Sequence, residues 1–271
     1  MYFPTENNRV LSELVDGVLS ITFNRPDFRN AFEAGMSAEI AGLMRKAQDD
    51  TAVRCIVFSG AGAHFTAGGD IAGFKSNLAL PHDDRSALFR DLLTGTANRV
   101  QAIMAFDRPI IAKVRGGVAG AGLMLPLAAD LVISDDTAMF VFAHQRVGLP
   151  PDGGVSYLLP RVVGWRAARR LVLTASVVKA DEAQTLGIVD QIVASTDLDS
   201  TVAKAATRFT KAPQAAMRRA KQMMDQSLSN SLAAQLDMET DAIAACVAND
   251  DFDEGVTAFI EKRETAFPSA Q

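Results

Sequence analysis

The feature that most constrains this chain is a repeated order: a short apolar run, a turn rich in glycine or proline, then a helical pattern. Val18, Leu19, Ile21 and Phe23 form the first such run, and it stops at Asn24-Arg25-Pro26, where proline removes a ladder donor. Within residues 31–48, Met36, Ile40, Leu43, Met44 and Ala47 recur at helical spacing, which predicts an amphipathic helix with one core-facing stripe. Residues 53–58 predict a strand ending in Ser59-Gly60-Ala61-Gly62, and residues 110–114 predict another ending in Arg115-Gly116-Gly117. Residues 131–134, 139–142 and 188–193 continue the series. Residues 76–85, with Pro81, His82 and paired aspartates, read as a surface loop or frayed helix of the kind that often acts as a mobile lid. After about residue 200 the pattern turns helical, over 202–209, 215–228, 231–247 and 255–267. Strands first and helices last predict an α/β core over 1–200 and a helical C-terminal region over 201–271.

Charge and length exclude some functions. A net charge of −5 argues against a broad nucleic-acid surface, although a few local cations could still hold a small polyanion. Cys55 and Cys246 lie far apart in apolar surroundings and read as reduced thiols. The N-terminus has no basic segment leading into an apolar run, so no signal peptide is expected. The apolar run 123–133 is broken by Asp130 and falls short of the ~18 residues a membrane helix needs. A cytoplasmic protein without a membrane or nucleic-acid partner is the expectation.

Two glycine loops stand out. Gly62-Ala63-His64-Phe65-Thr66-Ala67-Gly68-Gly69-Asp70-Ile71 and Gly116-Gly117-Val118-Ala119-Gly120-Ala121-Gly122-Leu123 each follow a predicted strand and run into a helical pattern. Glycine lets backbone approach a ligand closely, and a helix start leaves N–H donors unpaired. Two such loops could aim two donors at one developing oxyanion, or could simply be turns. Neither carries Gly-Lys-Ser/Thr after its glycines, and neither is a dinucleotide fingerprint in the right setting.

Several motifs in fixed order resemble the enoyl-CoA hydratase/isomerase (crotonase) superfamily. They are Asn24-Arg25-Pro26 with Asn30-Ala31, Phe65-Thr66-Ala67-Gly68-Gly69-Asp70-Ile71, and Pro109-Ile110-Ile111-Ala112-Lys113-Val114 with the glycine loop after it. Ala129-Asp130-Leu131, residues 148–164 and residues 254–263 complete the set, which spans about 15–267. The resemblance implies an α/β spiral of ββα turns with a helical C-terminal trimerisation segment, assembled as a homotrimer or dimer of trimers. It implies an acyl-CoA thioester substrate, with coenzyme A as part of that substrate, no tightly bound cofactor and no metal. It places the oxyanion-hole N–H groups on Ala67 and Ala121, and substrate contacts on Gly69, Asp70, Ile71, Phe74, Gly120 and Met124. Coenzyme A contacts fall on Asn24, Arg25 and Lys262, and residues 72–95, with Phe74, Leu78, Leu80 and Phe89, would shape the acyl pocket.

Hydratases of this family use two glutamates, and the matching positions here are Met124 and His144. Gly148-Leu149-Pro150-Pro151-Asp152 resembles the isomerase branch, in which one acid after the proline shuttles a proton; it is similar to 3-enoyl-CoA isomerases and to the isomerase of epoxyphenylacetyl-CoA. An enoyl-CoA isomerase with Asp152 as base is therefore expected. Open alternatives are a hydratase using His144, a dehalogenase with an Asp152 nucleophile and His82 or His64 as base, and a non-catalytic acyl-CoA-binding protein. An RNA-binding relative is a further one, although residues 36–50 offer only Arg45 and Lys46 as cations.

Overall fold

The computed structural model describes residues 2–5 and 8–270, so the outer limits at 1 and 271 of the two expected regions lie outside the described residues. The chain runs through β1 (Val10–Val15), β2 (Val18–Phe23), α1 (Met36–Asp49), β3 (Cys55–Gly60), α2 (Ile71–Ser76), α3 (His82–Met104), β4 (Ile110–Val114) and β5 (Gly117–Ala119). It continues with α4 (Met124–Ala128), β6 (Leu131–Asp135), β7 (Met139–Val141), α5 (Val155–Val163), α6 (Trp165–Leu173), β8 (Val177–Lys179), α7 (Ala180–Thr185) and β9 (Gln191–Val193). Four helices close it: α8 (Leu198–Thr210), α9 (Gln214–Ser227), α10 (Leu232–Cys246) and α11 (Asp250–Glu261).

The main sheet has the order β1-β2-β3-β4-β6-β9. Only β1 and β2 pair antiparallel; every later neighbour is parallel, joined by helical crossovers. A parallel sheet needs cover on both faces. The α1 stripe of Met36, Ile40, Leu43, Met44 and Ala47 is wholly buried on one side, while Leu198, Val202 and Ala206 of α8 pack on Cys55, Val57, Ile111 and Ile133 on the other. Cys55 is a free thiol whose burial pushes it up to about 12, so it packs as an inert apolar group. A second sheet, β5-β7-β8, stands beside the first.

The expected architecture holds, with differences in detail. Of the two readings of residues 76–85, the helical one holds: a 3-10 turn spans Asn77–Ala79, and α3 starts at His82, behind Pro81, and runs 23 residues. Asp83 and Asp84 in its first turn favour the positive end of the helix dipole. Its apolar stripe is thin, with only Arg99 and Ile103 buried, which is why spacing did not reveal it. The final helix ends at Glu261, with Lys262 in the left-handed conformation as its C-cap, not near residue 267. Among the described residues no helix is long and apolar enough to cross a membrane.

Candidate active site

The two glycine loops, which follow the central strands β3 and β4, meet beyond the C-terminal ends of those strands. Thr66 bridges Val118, and the Ala119 N–H donates to the Thr66 carbonyl at 3.0 Å. Gly68, at φ 79°, sits at the crossing: a Cβ there would lie 2.5 Å from the Ala119 carbonyl oxygen and 3.2 Å from the Ala121 nitrogen. Only glycine permits that approach.

The hydrogen bonds decide which N–H groups face outward. Ala67 does not: its N–H donates to the Arg29 carbonyl at 2.8 Å, so the donor role expected there is contradicted by a bond already made. The Gly68 N–H goes to Thr66 Oγ1 at 3.1 Å, and the Asp70 N–H to the Phe32 carbonyl at 3.1 Å. Gly69, bridged in parallel to Phe32, is left with an N–H that has no partner among the described residues. Ala121 is the second residue of the 3-10 turn Gly120–Leu123, ahead of the N–H groups that the turn's own bonds take up. Gly69 and Ala121 therefore supply the free donors.

Other expected residues serve to build this loop. The Arg25 guanidinium pairs with Asp70 at 3.1 Å and Glu33 at 3.0 Å, donates to the Ala31 carbonyl at 2.6 Å and stacks over Phe28. That clamps the turn after β2 to the first glycine loop and engages the Arg25 charge with two acids. Asn24 donates through its side chain to the Asn8 carbonyl. Asn30, fully buried, accepts from the Arg25 N–H and donates to the carbonyls of Ala61 and His64. Asp70 caps α2 by accepting from the Gly73 N–H at 3.0 Å. That bond first, then Arg25, holds its carboxyl below the usual range against the opposing effect of burial. The stabilisation it gives is present above the unfolded value of about 3.9 and is lost as pH falls through the lower folded one. Asp70→Ala is expected to cost about 1 kcal/mol at neutral pH. Urea unfolding should show the gap from the parent protein narrowing once the pH drops below about 4. Ile71 is exposed beside it, while Phe74 lies over Gly69, its ring 3.2 Å from where a Cβ would stand, and packs edge-on against Phe89 at 4.8 Å.

The opposite wall comes from the segment between β7 and α5. His144 opens a 3-10 turn that ends at Gly148 in the left-handed conformation. The chain then returns so that Asp152 Oδ1 lies 3.1 Å from His144 Nε2. Gly153 and Gly154, at φ 58° and 80°, follow; a Cβ on Gly153 would stand 3.3 Å from the Ala121 Cβ. His144 Nε2 lies 4.0 Å from the corresponding point on Gly120. His144 is buried and Asp152 is one-third exposed, so the carboxylate is the more accessible partner of the pair. Met124 is fully buried, with its Cγ 3.8 Å from the Cβ position of Gly154. Two backbone N–H groups without a partner among the described residues thus stand in the same region as an acid whose next residue packs on Ala121, an arrangement that suits a carbonyl gaining negative charge while a nearby proton moves.

His64 and His82 are not beside the acid. His64 Nδ1 accepts from the Gly117 N–H at 3.1 Å and holds the two loops together, and His82 is exposed at the start of α3. Lys262 is exposed at the far end of α11. One residue that spacing missed lies close by: Arg99 of α3, buried, with its guanidinium 4.3 Å from the Phe32 ring centre. Among the described residues no group of three or more His, Cys, Asp or Glu could hold a metal ion.

The model of the family described as enoyl-CoA hydratase/isomerase matches residues 13–270. The chain is 33% identical over 258 residues to 1,2-epoxyphenylacetyl-CoA isomerase of Escherichia coli (strain K12), covering 95% of this chain and 97% of that one. It is 31% identical over 261 residues to crotonyl-CoA hydratase of Syntrophomonas wolfei, covering 96% and 98%. Among solved structures, an enoyl-CoA hydratase from Polaromonas sp. JS666 superposes with a TM-score of 0.87 at 29% identity, covering 94% of this chain and 98% of that one.

Proposed function

The chain belongs to the enoyl-CoA hydratase/isomerase family, and from that premise we propose that it is an acyl-CoA isomerase moving a double bond from the 3- to the 2-position. The observation that carries this reading is Asp152, an acid whose next residue, Gly153, packs on Ala121, while a buried methionine occupies the position of a hydratase glutamate. The Gly69 and Ala121 N–H groups polarise the thioester carbonyl and acidify C2. The Asp152 carboxylate takes the C2 proton, the electron pair passes into a dienolate, and the same carboxyl returns a proton at C4. His144 steadies the carboxylate through its 3.1 Å contact. One acid suffices, because no water is added.

Coenzyme A is part of the substrate in this reading, and no cofactor is required. The turn at Asn24 and Arg25 borders the pantetheine through its backbone, since the Arg25 side chain is already engaged. Lys262 meets the nucleotide from a neighbouring chain. A homotrimer or paired trimer is supported by apolar residues exposed on the last helices, among them Leu232, Ile243, Phe259 and Ile260.

A second reading, hydration of 2-enoyl-CoA through His144, draws support from the hydrogen bond between His144 and Asp152 and from the likeness to a crotonyl-CoA hydratase. Steady-state assays with matched 2-enoyl- and 3-enoyl-CoA separate the two. The isomerase reading expects fast conversion of the 3-enoyl thioester and little 3-hydroxyacyl product. Rapid water addition that survives Asp152→Asn would overturn it.

A further inference from the structure

Arg99 is 1% exposed, yet no carboxylate lies within ion-pair distance of it among the described residues. Its Nη1 donates to Ser37 Oγ at 3.2 Å, and its Nε and Nη2 are buried with no hydrogen-bond partner there. Burial pushes the guanidinium down to about 10, and the one charge that opposes this is Asp152. A buried cation with two unused donors is a standing cost to the fold.

Its surroundings suggest what the donors are for. Phe32, under the guanidinium, exchanges backbone hydrogen bonds with Gly68 and Asp70 and so flanks Gly69. One residue further along α3, Val100 comes within 3.3 Å of the Cβ position of Gly154, next to the Asp152 turn. The turn of α3 that carries Arg99 thus touches both halves of the site: its guanidinium lies on Phe32 beside Gly69, and its next residue packs beside the Asp152 turn.

We infer that Arg99 selects the acyl group, its free Nε and Nη2 binding an oxygen, a carboxylate above all, that the acyl chain carries beyond the reacting carbons. The inference rests on the acyl-CoA reading of the same site. A planar guanidinium offers two parallel donors, which fits a carboxylate better than it fits an ether or hydroxyl. Phe74 lies over Gly69 and packs on Phe89, so a thioester seated at Gly69 enters by turning Phe74 aside.

Calorimetric titration of the intact protein with saturated thioesters tests this without turnover. The probes are butanoyl- to octanoyl-CoA and their ω-carboxylated counterparts of equal length. At one length the carboxylated ester should bind about tenfold tighter than its methyl-ended partner. Arg99→Met should weaken that ester about 100-fold and leave the methyl-ended one within about twofold. Its Tm should be unchanged or higher, since an unpaired buried charge is gone. Arg99→Lys keeps the charge without the fork and should retain part of the preference; it decides the question if Arg99→Met fails to fold. Equal binding of both ends at every length, or equal weakening of both by Arg99→Met, overturns the inference and leaves the acyl-CoA reading intact. If no thioester binds, the acyl-CoA reading falls and takes the inference with it.

Discussion

Asp152→Asn is expected to lower kcat for isomerising 3-hexenoyl-CoA by about 1,000-fold while KM moves less than about threefold. The change keeps the size of the side chain and an oxygen or nitrogen facing His144, so the turn through Gly153 and Gly154 should remain in place. It removes the carboxylate that, in the isomerase reading, accepts the C2 proton and delivers it to C4. Met124 cannot substitute, being buried and without an ionisable group. The rise in ultraviolet absorbance as the double bond conjugates with the thioester measures the rate. A loss of under about tenfold would mean that Asp152 is not the base.

Gly68→Ala is expected to have the second largest effect. Its Cβ would stand 2.5 Å from the Ala119 carbonyl, closer than real Cβ atoms come to backbone, so one loop must move. Gly68 also has a positive φ, which adds strain for any side chain. Moving the loops apart by about 1 Å separates the Gly69 and Ala121 donors, and misplacement of that size costs about 100-fold in kcat. Strain at this buried point should also remove about 1–3 kcal/mol of stability. Differential scanning calorimetry beside the kinetics distinguishes the two effects. A variant with normal kcat and lowered Tm would show that the crossing is structural only.

Much of the fold was legible because local pattern and tertiary role agree. Both β2 and β4 occupy the predicted spans, and the five-residue stripe of α1 is the buried one. Spacing failed where packing rather than periodicity holds an element. The long helix α3 buries only Arg99 and Ile103, so the stretch at its start, residues 76–85, reads as a surface loop or frayed helix. The short helices α5, α6 and α7 follow one another through glycine and a brief strand, too little chain for a period to develop. The pattern of β1 is hidden as well: polar Ser12 sits on its buried face and apolar Leu11 and Val15 on the other, so no apolar alternation shows.

The site shows the same division. Glycine loops and a carboxylate after proline are visible in a linear chain. The choice of Gly69 over Ala67 is not, because it depends on where the Arg29 and Phe32 carbonyls come to rest. His144 and Asp152 looked like alternatives eight positions apart, and a 3-10 turn capped by Gly148 makes them a pair. Arg25 reads as a ligand contact by its place in a motif, and of the two acids that claim it, Glu33 and Asp70, the second is distant in sequence.

The central claim is that two backbone donors and one carboxylate face each other across a thioester. A crystal structure of the protein with hexanoyl-CoA tests it most directly. The account predicts the thioester oxygen about 3 Å from both the Gly69 and Ala121 nitrogens. It also predicts Asp152 within about 3–4 Å of C2 and C4. A thioester oxygen away from those nitrogens, or Asp152 turned to solvent with His144 alone facing the acyl carbons, would contradict it.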